Sequence, residues 1–202
     1  MAYVKATERH EQIVAAAIRV LSDVGVPGTT LRAVAAEAGI PLGTLHYVFP
    51  SKDQMLRAVI VAVIDDVVAT VNGSLQLDQG LAHAMSHGVT TFWDALVEGD
   101  VGVQVMQYEL AMYSARSDES GGLAQLQYDR YTALVTDFCE HAANAAGERC
   151  AVDFATLGRL ALGMLDGLII QYIASRDGQR ARRDLDRAIE MLVALADPQP
   201  GG

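Results

Sequence analysis

One pattern runs through almost the whole chain. Apolar residues recur at the spacing of a helix face, and each run is cut by glycine or proline. Ile13, Ala16, Ala17, Val20, Leu21 and Val24 form a first stripe, closed by Gly25 and Pro27. Thr29 or Thr30 can cap a second helix whose buried side is Leu31, Val34, Ala35 and Ala38, with Gly39 as its stop. Pro41 suits the first turn of a short third helix that ends before Pro50. Ser51 to Gln54 reads as a capping box that starts a long helix carrying Met55, Val59, Ile60, Val63 and Ile64. Further helices are expected over 81–98, 101–115, 123–146, 154–175 and 181–196. The breaks between them are Gly99-Asp100, Gly121-Gly122, Gly147 and Asp177-Gly178. No stretch alternates with period 2, and none repeats. The expectation is an all-α fold of about nine helices: a three-helix head over 1–51, and a helical body over 52–202 entered through a connecting helix at 52–73. The closing DPQPGG reads as a frayed end.

The segment from Gly39 to Lys52, GIPLGTLHYVFPSK, is a poor helix by propensity, yet good helix formers flank it. A helix, a tight turn at Gly39-Ile40 and a second short helix make a helix-turn-helix, whose second helix enters the major groove. On that reading Leu45, Val48 and Phe49 pack inward, and Pro41, Leu42, Gly43, Thr44, His46 and Tyr47 face outward. Thr44, His46 and Tyr47 are short or rigid hydrogen-bonding groups suited to phosphates and base edges, and Gly43 permits close backbone approach. Lys52 adds a cation in the first turn of the next helix, beside free N–H groups that attract a phosphate. Thr30 and Arg32, at the start of the second helix, complete the candidate DNA contacts.

Charge is consistent with a small DNA-facing surface on an otherwise repelled body. The net charge is −10, but up to Arg57 six bases stand against five acids, so the deficit lies in the remainder of the chain. With 51% apolar and 20% charged residues this is a folded chain. Its apolar runs at 58–64 and 167–174 are too short or too interrupted to read as membrane spans. No apolar leader is visible at the start, and Cys139 and Cys150 form no disulfide pattern, so a cytoplasmic protein is expected.

Thr30-Leu31 through Ala38-Gly39-Ile40, Gly43-Thr44-Leu45 and Phe49-Pro50-Ser51-Lys52 resemble the head of the tetracycline-repressor (TetR) family of bacterial regulators. The likeness is close from Gln12 to Leu56 and architectural beyond, with an echo at Leu165-Asp166-Gly167-Leu168. It implies a homodimeric repressor with a helical ligand-binding body. A small molecule would move the connecting helix and release DNA, and the last two large helices would pair in a four-helix seam. It also places Thr44, Tyr47 and Lys52 where family members usually contact DNA. Pro41 stands where the family often has Ser or Thr, His46 where it has Tyr, and Val48 where it has an aromatic or His.

Two acids on the body lie on otherwise apolar helix faces: Glu109, among Val105, Met106, Met112 and Tyr113, and Asp166, among Leu162, Gly163, Ile169 and Ile170. Each is either a polar anchor in an apolar ligand site or a carboxylate satisfied by a Tyr or Arg in the core or dimer seam. Trp93, Met106, Met112, Tyr113, Tyr128, Tyr131 and Phe138 supply aromatic and adaptable surface, so the expected effector is small and apolar or aromatic. His83 and His87 have the i, i+4 spacing of metal ligands, but no third ligand is near and they fall on a polar face. No metal or cofactor is expected. A helical binding protein or enzyme using Glu109 and Asp166 is the competing class, without a nucleophile–base pair or phosphate loop to support it. An activator or an effector-independent regulator fits the same head.

Overall fold

The computed structural model describes residues 6–73, 79–116 and 122–201; the side chains of 71–73 and 96 lie outside that description. The expected break at Gly121 also lies outside it. The described residues form nine α-helices: α1 (Ala6–Gly28), α2 (Leu31–Glu37), α3 (Leu42–Val48), α4 (Lys52–Gly73), α5 (Leu81–Phe92), α6 (Val101–Arg116), α7 (Leu123–Ala146), α8 (Phe154–Ser175) and α9 (Gly178–Ala196). A π-helical turn, Trp93–Val97, follows α5 where one uninterrupted helix was expected.

Local signals set most of the boundaries. The Thr30 side chain accepts from the Ala33 N–H, Ser51 from Gln54, Asp153 from Thr156 and Asp177 from Arg180. Pro41 stands one residue earlier than expected. It precedes α3 in an extended conformation, and its carbonyl accepts from Thr44 and Leu45. The first helix bends at Gly25, where φ is 71° and ψ 174°.

The chain divides into two compact units, Met1–Asp65 with Gly102–Gln127 and Asp66–Val101 with Tyr128–Gly202. In the first, α1 packs on α2 and α2 on α3. Ile13, Ala16, Ala17, Leu21, Val34, Leu45 and Phe49 are buried there. Gln12 donates to the Ala38 carbonyl at 2.7 Å, and the His10 ring lies 4.8 Å from that of Phe49. This unit therefore holds the head expected over 1–51, together with the first part of α4 and nearly all of α6.

In the second unit, Leu81, Met85, Cys139, Ala142, Leu157, Ala161 and Leu192 form a core joining α5, α7, α8 and α9. Burial pushes the Cys139 thiol up to about 12, so it stays protonated. The C-terminal residues are not frayed as expected. Gln199–Pro200 pairs antiparallel with Glu148–Arg149, and the Gly201 N–H donates to the Gly147 carbonyl at 2.6 Å. The sequence pattern missed this because two residues per strand are too few to show alternation. By length and composition alone α8 is long and apolar enough to cross a membrane, a test that the core helix of a folded protein also meets. Its Leu157, Ala161, Leu165 and Ile169 are nevertheless buried within the protein.

Candidate nucleic-acid interface

The short helix α3 is fixed by one side and free on the other. Leu45 is fully buried and Phe49 nearly so, while Pro41, Gly43, His46 and Tyr47 are exposed and Leu42, Thr44 and Val48 half-buried. Tyr47 is 89% exposed, with its phenol in water. A rigid aromatic side chain held out by a locked helix is a costly surface feature for packing and a useful one for contact. Exposed Thr30 and Arg32 stand at the start of α2. The Thr30 hydroxyl is engaged as the cap of that helix.

Lys52 is held differently from the rest of the expected DNA-contact set. Its ammonium does not project freely from the first turn of α4. It donates to the Val26 carbonyl at 2.7 Å and lies over the Tyr113 ring, 5.9 Å from the centroid. Burial lowers its pKa, and neighbouring Asp53 offsets part of that.

The residues expected to hold an effector fall into two groups. In the first unit, Met106 is buried with its sulfur 3.9 Å from the Ser22 hydroxyl, and Glu109 accepts the Val26 N–H at 2.9 Å. Tyr113 sits beside Lys52, and Met112 is 55% exposed. Met106, Glu109 and Tyr113 thus line one face of α6 that meets the end of α1 and the start of α4.

In the second unit, Trp93 is fully buried, donates to Glu98 at 3.0 Å and lies 5.7 Å from the Tyr172 ring. The Tyr128 phenol hydrogen-bonds Asp166, and burial together with that carboxylate pushes Tyr128 up to about 12. Tyr131 is raised by burial first and by Asp166 second. Asp166 is therefore a carboxylate met by tyrosines. Phe138 packs against the core, so close to α5 that a Cβ on Gly88 would stand 2.9 Å from its ring.

His83 and His87 stack, with centroids 5.9 Å apart, and are half-buried. Among the described residues no group of three or more His, Cys, Asp or Glu is placed to hold a metal ion.

Sequence reasoning missed Val26, which receives both Glu109 and Lys52, and Gln127. The side-chain Oε1 of Gln127 is buried without a hydrogen-bond partner. The acid on an apolar face at Glu109 was a visible signal, but nothing local marked its partner.

A family model described as bacterial regulatory proteins, tetR family, matches residues 13–59. The nicotine-responsive transcriptional repressor HdnoR of Paenarthrobacter nicotinovorans is 24% identical over 191 residues, covering 94% of this chain and 96% of that one. The transcriptional regulator BetI of Burkholderia ambifaria (strain MC40-6) is 30% identical over 161 residues, 79% of each chain. The multidrug binding protein EbrR, complexed with ethidium, is a structural neighbour with a TM-score of 0.71 and 25% identity, over 94% of this chain and 99% of that chain.

Proposed function

Because this chain belongs to the TetR family of bacterial regulators, and is accordingly a ligand-responsive DNA-binding transcription regulator rather than an enzyme, we propose that it represses by occupying a palindromic operator as a homodimer. The observation that carries the reading is α3: Leu45 locks the helix while Tyr47, His46 and Gly43 stand in water on its outer side. Thr44, His46 and Tyr47 read base edges and phosphates, with Pro41, Leu42, Thr30 and Arg32 around them. Two such heads on one dimer read two half-sites about one helical turn apart.

The dimer seam is assigned to α8 and α9. Leu160, Ile170, Met191 and Leu195 are exposed apolar residues on these two helices, Met191 to 65%. A second copy of the same pair would cover them. The protein acts in the cytoplasm, where its operator is.

The effector is a small molecule with an apolar or aromatic frame that carries at least one hydrogen-bond donor. Support comes from Gln127, because a buried acceptor left without a partner costs about 1–3 kcal/mol and a ligand N–H would recover that. The relative HdnoR responds to nicotine and EbrR binds ethidium, both nitrogen-bearing aromatic molecules.

Selection of bound fragments from the source genome by the purified protein, at two salt concentrations, tests the function. One enriched palindrome whose affinity falls steeply with salt is expected. The double variant Thr44→Ala, Tyr47→Ala should lose that enrichment while keeping its fold. Loss of neither sequence preference nor affinity in that variant would remove α3 as the reading helix.

A further inference from the structure

The end of α1 is held from two sides at a single residue. Gly25 takes φ 71°, ψ 174°, a region essentially confined to glycine. That conformation interrupts the helix ladder and leaves the next N–H, that of Val26, to another partner. Glu109 Oε2 accepts it at 2.9 Å, and Lys52 Nζ donates to the carbonyl of the same Val26 at 2.7 Å. The Gly25 carbonyl is closed by Thr29, whose N–H and hydroxyl donate to it at 3.2 and 2.8 Å. A Cβ on Gly25 would stand 2.7 Å from Glu109 Oε2, so the carboxylate fits only against a bare Cα.

The electrostatics make this an unusual place for an acid. A carboxylate near the C-terminal end of a helix faces the negative end of the helix dipole. The Val26 N–H offsets that by direct hydrogen bonding. Three helices are therefore tied at Val26: α1 by its backbone, α4 by Lys52 and α6 by Glu109. Met106 and Tyr113, each one turn along α6 from Glu109 on either side, meet Ser22 and Lys52 on the same face.

We propose that Val26 is the joint between α6 and the head, and that Glu109 is the positioning residue through which α6 sets the orientation of the reading helix. Lys52 belongs to the same joint. The cation that would meet an operator phosphate is the one bonded to Val26, so head orientation and phosphate contact change together. The inference rests on the DNA-binding reading above and adds how the body acts on it.

The test uses the full-length dimer, the operator fragment enriched from the genome, and an unrelated duplex of equal length. Wild type, Glu109→Ala, Glu109→Gln and Glu109→Asp are compared by amide hydrogen exchange at Val26 and by affinity for both duplexes. In Glu109→Ala, Val26 should exchange faster, and operator affinity should fall about tenfold while the unrelated duplex, which needs no fixed spacing of heads, changes less than about twofold. Glu109→Gln, whose carboxamide oxygen can accept the same N–H, should restore both readouts. Faster Val26 exchange with unchanged operator affinity would overturn the proposal, and so would equal losses on both duplexes. Should Glu109→Ala fail to fold, Glu109→Asp, which retracts the carboxylate by one methylene, carries the same expectations in weaker form. A wild-type protein that enriches no sequence would instead overturn the DNA-binding reading, and the joint with it.

Discussion

Two regions of this molecule use the same contact at opposite ends of a helix. In the first unit, Glu109 takes the N–H that follows Gly25, at the C-terminal end of the main body of α1. In the second, Glu148 takes the Leu81 N–H at 2.7 Å, directly after Gly80, at the start of α5. Both glycines have positive φ, and both would put a Cβ within 2.8 Å of the carboxylate. The helix dipole separates the two cases. At the start of α5 it favours the anion, and Glu148 is a simple cap. At the end of α1 it opposes the anion, and the carbonyl of the same Val26 takes the Lys52 ammonium from a third helix. The first arrangement rests in a minimum of its own. The second is a balance of three elements, and a balance is where a small displacement has the largest consequence.

The largest expected effects come from filling the two glycines. Gly25→Ala and Gly80→Ala each force a side chain into a glycine-only region and against a carboxylate, at a cost of about 1–3 kcal/mol from the backbone alone. Thermal unfolding followed by circular dichroism should show a lower midpoint for both. Combining each with the matching Glu→Ala should relieve part of the loss, since the carboxylate is what the new Cβ meets. If Gly25→Ala were harmless, the bend at the end of α1 would not be the fixed joint described above.

Next in size, Glu148→Ala should separate stability from function. Leu81 is fully buried, so its abandoned N–H costs about 1–3 kcal/mol, and the lost dipole interaction adds to that. Operator affinity measured below the unfolding range should stay at the wild-type value. The contrast with Glu109→Ala, expected to weaken the operator complex, is the sharpest form of the comparison. Lys52→Met sits between them. It keeps the apolar stem against Tyr113, removes the ammonium, and should lower the slope of log affinity against log salt by about 1 if Lys52 reaches a phosphate.

The head was legible because its determinants are near neighbours in sequence. Thr30 caps with Ala33 and Ser51 with Gln54, each three residues away, and the inward set Leu45 and Phe49 follows from helix period. Thr30→Ala should cost about 1 kcal/mol, the ordinary worth of such a cap. The joints were not legible. Val26 is 83 residues from Glu109, and Leu81 is 67 from Glu148. The sequence could mark Glu109 as an acid on an apolar face, and Asp166 likewise, but only the fold could show that one meets a main-chain N–H and the other a tyrosine. The partner of Lys52 was hidden for the same reason. A first-turn lysine implies a solvated charge until α1 is seen to end against it.

The smallest effect concerns a third glutamate, whose partners are side chains rather than backbone. Glu98 accepts from Arg182 through both oxygens, at 2.9 and 2.8 Å, and from the Trp93 indole at 3.0 Å. The Arg182 hydrogen bonds hold its carboxyl below the usual range. Partial burial opposes them, and Trp93 assists. A carboxyl whose folded pKa lies below its unfolded one adds stability above the unfolded pKa, and that stability is lost as pH falls through the folded value. The side chain is 31% exposed, so the pair is worth less than about 1 kcal/mol after solvent screening. Glu98→Gln should therefore melt slightly below wild type at pH 7, and the gap should close on acidification through the carboxylate range. Unfolding midpoints of both proteins between pH 7 and pH 3 would show it. A gap that persists at the acid end, where the carboxyl is uncharged, would mean that the charge of the Arg182 pair adds nothing measurable.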